Sequence, residues 1–241
     1  MLPFIDLHMH TNYTDGQNSL ADMVFAANQK GLDTIAITEH VRANSDWVNR
    51  YVEDICKIRK NSYSNVILGF ETKIIDMNGN LDIPKKALNF AEIIVCSLHR
   101  IPGIHPMEDE LIISGSNPAI TTDVYIRALK ALCRNSYVDI IGHPFDLLYK
   151  HKVPLPDKES MHDLARYISM HGKAVEINTR YMVPPKEFIE ICKMHDIKFS
   201  IGSDAHDSSR VGDVNWAYEI MNSAHLNEKD LMEFGNYGNT Y

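Results

Sequence analysis

Apolar and polar residues fall into two alternating patterns along this chain. Seven short runs, at 3–8, 34–39, 66–75, 93–98, 138–143, 174–178 and 198–204, are nearly continuous in β-branched and other apolar side chains. Runs such as TIAIT and EIIVCSL lack the apolar–polar alternation of a half-exposed strand, so they predict parallel strands covered on both faces. Between them lie stretches of helical period at 20–30, 46–61, 84–91, 122–134, 158–171, 185–195 and 215–221, followed by a tail containing EKDLMEF. The first is the best marked. Ser19 with Asp22 three residues on forms a capping-box signature, and Gly31 stands where a helix-terminating glycine belongs.

Successive strand starts are 24 to 45 residues apart. That rhythm of strand and helix predicts a right-handed α/β array, either an open sheet or a closed barrel. No linker rich in Gly, Pro or Ser divides the chain, so one domain spanning 1–241 is expected. The longest gap contains 101–121, IPGIHPMEDELIISGSNPAIT, which is too polar and too rich in Gly and Pro for continuous helix. It is a candidate lid or substrate loop.

Composition narrows the partners. The 24 Lys and Arg against 32 Asp and Glu give a net charge of -8, a poor match for a phosphate backbone, which places nucleic acid last among the partners. No apolar run approaches the ~20 residues of a membrane helix, and a membrane partner is not expected. Cys56, Cys96, Cys133 and Cys192 are far apart with no C-x-x-C, so they read as buried thiols of a reducing compartment. With no basic, greasy leader at the start, a cytoplasmic location is expected.

The 12 histidines change the picture most. Strand one ends DLHMH, where alternation puts Asp6, His8 and His10 on one face and Leu7 and Met9 on the other. Later strands end TEH (His40), SLH (His99), GHP (His143) and SDAH (Asp204 and His206), and strand three contains GFE (Glu71). In α/β folds the C-terminal ends of the strands are where active sites form. A lone histidine at a strand end is more often a structural one; five strand ends offering histidine to the same face are not. A buried cluster of imidazoles and carboxylates is costly unless divalent ions join it. With Asp15 of TNYTDG, there are nine candidate ligands: His8, His10, Asp15, His40, Glu71, His99, His143, Asp204 and His206. At three or four protein ligands per ion, nine suit two or three ions of zinc, manganese, iron or magnesium. Such a pocket would be cationic inside an acidic protein, and phosphate is its natural guest.

The ordered set DLHMHTNYTDG, ITEH, GFE, SLHR, IGHPFD, EIN and IGSDAHDSSRVGD resembles the PHP (polymerase and histidinol phosphatase) family over nearly the whole chain. The resemblance implies a distorted seven-stranded (β/α)7 TIM-like barrel with a trinuclear metal centre at its mouth. It implies one metal on His8, His10, Glu71 and Asp204, a second on Glu71, His99 and His143, and a third on Asp15, His40 and His206. The implied activity is metal-dependent hydrolysis of a small phosphorylated metabolite, histidinol phosphate being the best-known substrate. Divalent ions lower the pKa of bound water toward ~7, so no protein nucleophile is required. Glu71, Asp204 and His206 are the candidate catalytic residues, with Asp204 or His206 moving the proton.

Around this core, Arg100, Arg180 and Arg210 could clamp a phosphate, and His105 and Asn178 could touch substrate. Glu108, Asp109 and Glu110 could meet a cationic one. Asp6 is expected to orient an imidazole, while Glu39 faces away from His40 and reads as structural. Three rivals remain. An amidohydrolase-like barrel would carry a bridging lysine after strand four, where this chain has His99. A nuclease or phosphodiesterase of the same family would need a basic, aromatic-interleaved track, which is missing. A non-catalytic metal-binding module would have lost ligands, and all nine positions carry competent groups.

Overall fold

The computed structural model describes residues 2–102 and 118–234. Its framework is seven parallel strands in chain order: β1 (Ile5–Asp6), β2 (Thr34–His40), β3 (Asn65–Thr72), β4 (Ile93–Ser97), β5 (Ile140–Gly142), β6 (Ala174–Asn178) and β7 (Phe199–Gly202). The helices described between and after them are α1 (Leu20–Lys30), α2 (Val48–Arg59), α3 (Lys85–Phe90), α4 (Pro118–Cys133), α5 (Asp146–Lys150), α6 (Lys158–Met170), α7 (Lys186–Met194) and α8 (Asn215–Ser223).

The strands form a nearly closed barrel because the chain after β1 changes partner. Asp6 pairs with Ile35 of β2, but the Leu7 amide donates to the Ile201 carbonyl at 2.7 Å and the His10 amide to the Ala205 carbonyl at 2.9 Å. The same stretch reaches back to β2, where the Thr38 amide donates to the Met9 carbonyl at 2.8 Å. This dual bonding explains why β1 is shorter than the apolar run 3–8 suggests.

Alternation sorts the side chains. On β3, Val66, Leu68 and Phe70 pack outward with Met23, Ala27, Tyr51 and Ile55 of α1 and α2, while Glu71 sits between Phe70 and Thr72 on the opposite face. The capping box at α1 is present, with the Ser19 side chain accepting from the Asp22 amide and Gly31 closing the helix at φ 72°. All seven expected strands exist; α5 was not anticipated, and α4 starts earlier than expected, at Pro118. Most of the candidate lid at 101–121, with His105, Glu108, Asp109 and Glu110, lies outside the described residues. Among the described residues, no helix is long and apolar enough to cross a membrane. Cys96, Cys133 and Cys192 are buried free thiols and Cys56 is half-buried; burial pushes Cys133 up to about 12.

Candidate metal centre

The nine expected ligands meet at the C-terminal mouth of the barrel. His40 and Glu71 sit at the ends of β2 and β3, and His143 directly follows β5. His8, His99 and Asp204 each stand two residues past a strand, and His10 and His206 four. Glu71 is at the centre. Its Oε2 lies 3.4 Å from Nε2 of both His8 and His10 and 2.8 Å from Nδ1 of His40. Its Oε1 lies 3.3 Å from His99 Nε2 and 3.2 Å from His143 Nε2. His8 and His10 bring their Nε2 atoms within 3.1 Å of each other, and Asp204 Oδ1 is 3.7 Å from His10 Nε2. Asp15 Oδ2 is 3.4 Å from Nε2 of both His40 and His206.

These spacings fit metal ions. Ligand atoms at ~2.0–2.2 Å from a tetrahedral ion lie about 3.3–3.6 Å from one another, close to the separations of most of these pairs. Among the described residues, three overlapping groups have donors all within 4.8 Å of one another: His10, Asp15, His40 and His206; His8, His10 and Asp204; His40, Glu71 and His99. The groups share members more than the implied three-way partition does. His10 and His40 each stand between two of them, and His40 presents Nδ1 to Glu71 and Nε2 to Asp15.

Electrostatics separate the histidines. Burial, together with the charges of His8, His40 and His206, holds His10 well below the usual imidazole range. Burial also drops His99 to about 4. Both are therefore neutral at neutral pH, with lone pairs free to ligate. Burial pulls His8 down too, but Glu176, Glu71 and Asp204 outweigh it and hold it well above 6.5. Burial pushes Glu71 upward, and His8, His143 and His40 more than reverse that. Asp204 is raised, first by burial.

Glu176 emerges as a positioning residue. Fully buried on β6, it takes His8 Nδ1 at 2.7 Å on one oxygen and the His143 amide at 2.6 Å on the other. The orienting role expected of Asp6 belongs to Glu176. Asp6 instead accepts from Ser203 and from the Gly212 amide, tying β1 to the chain after β7. The signal for Glu176 was an acid inside the apolar run AVEIN. A second supporting carboxylate, Asp146, puts Oδ2 3.0 Å from His143 Nδ1. Imidazole ligands commonly have such partners, which set the tautomer that frees the other nitrogen. His143 and Asp204 both sit at positive φ, 25° and 52°, a strained backbone that places side chains at functional sites.

The Asp15 loop is pinned from below. Glu39 accepts from the Thr11 amide at 2.8 Å and from the Thr14 hydroxyl, as its outward parity implied. Gly16 permits the return of the loop, since a Cβ there would lie 2.5 Å from the His10 carbonyl oxygen.

The expected substrate contacts divide. Arg180 reaches the edge of the cluster, with Nη1 3.3 Å from Asp204 Oδ1 and 2.6 Å from His206 Nδ1. His206 Nδ1 either accepts from Arg180 or, as N–H, donates to the Asp204 carbonyl at 2.9 Å; only the second tautomer frees Nε2, and it leaves Arg180 to Asp204 alone. Asn178 is buried, its amide 3.5 Å from Asp204 Oδ2, so it faces a ligand. Arg210 pairs with Asp213 at 2.9 Å on the flank, beside the end of α1 where Lys30 bonds the Ser209 and Val211 carbonyls. Arg100 is exposed at the mouth. Its charge and that of Arg42, after burial, hold Lys73 below the usual lysine range, against the pull of Asp82. Tyr181, not anticipated, places its ring 5.2 Å from that of His143.

A family model described as PHP domain matches residues 6–180. The chain belongs to the PHP domain family. A protein of Caldicellulosiruptor bescii named "Probable phosphatase" is 31% identical over 221 residues, 86% of this chain and 82% of that one. A like-named protein of Caldicellulosiruptor saccharolyticus is 31% identical over 212 residues, 84% and 80% of the two chains. Among solved structures, histidinol phosphate phosphatase of Lactococcus lactis, crystallised with zinc, L-histidinol and phosphate, superposes with a TM-score of 0.73 at 18% identity, covering 98% of each chain. That likeness supports the PHP barrel.

Proposed function

We propose that this PHP chain is a metal-dependent phosphomonoesterase acting on a small phosphorylated metabolite. The observation that carries the reading is the position of Glu71, whose two oxygens face five imidazoles from four other elements of the barrel mouth. The relatives named as phosphatases, and the histidinol and phosphate held by the Lactococcus structure, support the same reaction class.

His8, His10, Glu71, Asp204, His99, His143, Asp15, His40 and His206 would hold two or three divalent ions. When bound, such ions would supply neutralisation of the phosphate oxygens and a lowered pKa for water. The chain's own groups then have distinct tasks. Glu176 and Asp146 fix the rings of His8 and His143, so the donor set is preorganised and little reorganisation accompanies the reaction. Arg180 meets the phosphate edge from the β6–β7 side and steadies Asp204. Asp204, buried at the edge of the cluster, is placed to receive or return the proton of the attacking water and leaving alcohol, with His206 as its neighbour. Tyr181 walls the mouth beside His143.

The test is turnover by chelated protein reloaded with manganese, zinc, iron or magnesium, across a panel of phosphomonoesters including histidinol phosphate. Glu71→Ala and Asp204→Ala should each lower kcat/KM by about 1,000-fold or more, the scale of losing a principal electrostatic group, with circular dichroism unchanged. Full activity in either variant, or cleavage of a labelled DNA strand alone, would overturn the proposal.

A further inference from the structure

Inward positions on a barrel strand recur every second residue, so the residue two beyond a ligand stands one layer nearer the mouth, about 6–7 Å along the strand. His40 and Glu71 are directly paired across β2 and β3. Two residues on from each are Arg42 and Lys73, and between His40 and Arg42 the side chain of Val41 is fully buried among the outer apolar residues, as alternation requires. Arg100, three residues past the end of β4 and next to His99, is exposed at the same mouth, and its charge reaches Lys73. We propose that Arg42, Lys73 and Arg100 form a subsite for a second anionic group of the substrate, a carboxylate or a further phosphate, about two strand residues from the phosphate that is cleaved. This rests on the phosphomonoesterase reading above.

The cluster differs from a solvated basic face. Lys73 and Asp82 are only 19% and 18% exposed. Asp82 Oδ2 lies 3.4 Å from Lys73 Nζ and 3.8 Å from Arg42 Nε, while its Oδ1 accepts from the Ala43 amide at 2.9 Å. Asp82 thus ties the segment after β3 to the segment after β2 through the Ala43 amide and Arg42. Lys73 and Arg42 share this one acid, and the charge of Arg100 also reaches Lys73. That leaves an excess of positive charge at the mouth of a chain whose net charge is -8, and like charges held together are costly until an anion joins them. Two of the three are arginines, whose planar fork binds carboxylate and phosphate in pairs of hydrogen bonds. The same field disfavours an alcohol carrying an amine, so histidinol phosphate should be a slow member of the panel.

A three-carbon series isolates the effect in the metal-loaded enzyme: propyl phosphate, 3-aminopropyl phosphate, 3-phosphooxypropanoate and 1,3-propanediol bisphosphate. The two substrates that carry a second anionic group should exceed propyl phosphate in kcat/KM by about tenfold or more, the scale of one charge-assisted hydrogen bond, mainly through KM. Comparison of the last two separates carboxylate from phosphate preference. Lys73→Met and Arg42→Met should bring the ratio to propyl phosphate close to one, and Lys73→Arg should restore it; because the readout is a ratio within one variant, general loss of activity cancels. A ratio unmoved by these changes, or preference for 3-aminopropyl phosphate, would overturn the subsite. If no phosphomonoester is turned over, the phosphatase reading fails, and calorimetric titration of 1,3-propanediol bisphosphate still decides the subsite. Binding weakened about tenfold by Lys73→Met supports it, and equal binding by wild type and variant refutes it.

Discussion

Glu176 and Glu39 show how one buried carboxylate can control a ligand it does not replace. Glu176 has one oxygen on His8 and the other on the His143 backbone. Both partners are donors when His8 ligates through Nε2, so Glu176→Gln would turn an NH2 group against one of them. Metal affinity measured by competitive chelation should fall about 10–100-fold, the usual cost of losing a supporting carboxylate; an unchanged affinity would show that the ring needs no such partner. Glu39 acts through the loop that carries Asp15. Burial raises its carboxyl from 4.5 to about 7, opposed by hydrogen bonds from Thr11 and Thr14. A carboxyl raised in the fold contributes stability that is complete below about pH 4.5 and is lost as pH rises through about 7. Glu39→Gln imitates the protonated acid. The stability of wild type relative to Glu39→Gln should therefore decline by about 2 kcal/mol from roughly pH 5 to pH 8, read from paired thermal melts, and a constant difference would contradict the shift. Neither role was legible in sequence beyond parity. Glu39 was read as structural because it alternates with His40, but Asp6 shares parity with His8 and still bonds elsewhere, to Ser203 and Gly212.

At the level of elements, the junction of β1, β6 and β7 holds the centre together. Gly202 ends β7 where Glu176 reaches across to His8, and a Cβ there would lie 2.3 Å from Glu176 Oε1 and 2.6 Å from His8 Cβ. Gly202→Ala should cost about 1–3 kcal/mol by overpacking and also weaken metal binding, checked by denaturant unfolding and metal titration on the same protein. A loss of stability with full metal affinity would mean that the strand, rather than the Glu176–His8 contact, absorbs the strain. The same junction explains where element boundaries escaped the pattern of apolar residues. β1 is cut to Ile5–Asp6 because its continuation divides its bonds between β2 and β7, a long-range arrangement with no local signature. Helix α5 is five residues long and enters through Phe145 at φ 77°; a segment that short carries no readable period. Helix α1 was legible because it combines an apolar stripe with a recognisable start and stop.

Over the whole molecule, the barrel assembles acids and imidazoles at one mouth, and ion binding should be coupled to folding. Unfolded chain disperses the nine ligands over most of the sequence, so ions bind the native state preferentially. At 100-fold excess over Kd this linkage is worth about 2.7 kcal/mol, or roughly 5–10 °C in melting temperature for a chain of this size. Chelation should produce that drop and manganese or zinc should reverse it; a melting temperature indifferent to both would argue against a metal centre. Sequence by itself determined the seven-strand rhythm, the longer helices between, and the nine candidate ligands, because strand alternation and position at a strand's C-terminal end are local properties. The near-closure of the barrel, the central position of Glu71, the supporting carboxylates Glu176 and Asp146, the pairing of Arg210 with Asp213, and the meeting of Arg42 and Lys73 on Asp82 were decided only by tertiary structure. Each depends on which strands become neighbours and in what register, and residues a hundred positions apart carry no mark of that until the sheet curls round and brings them together.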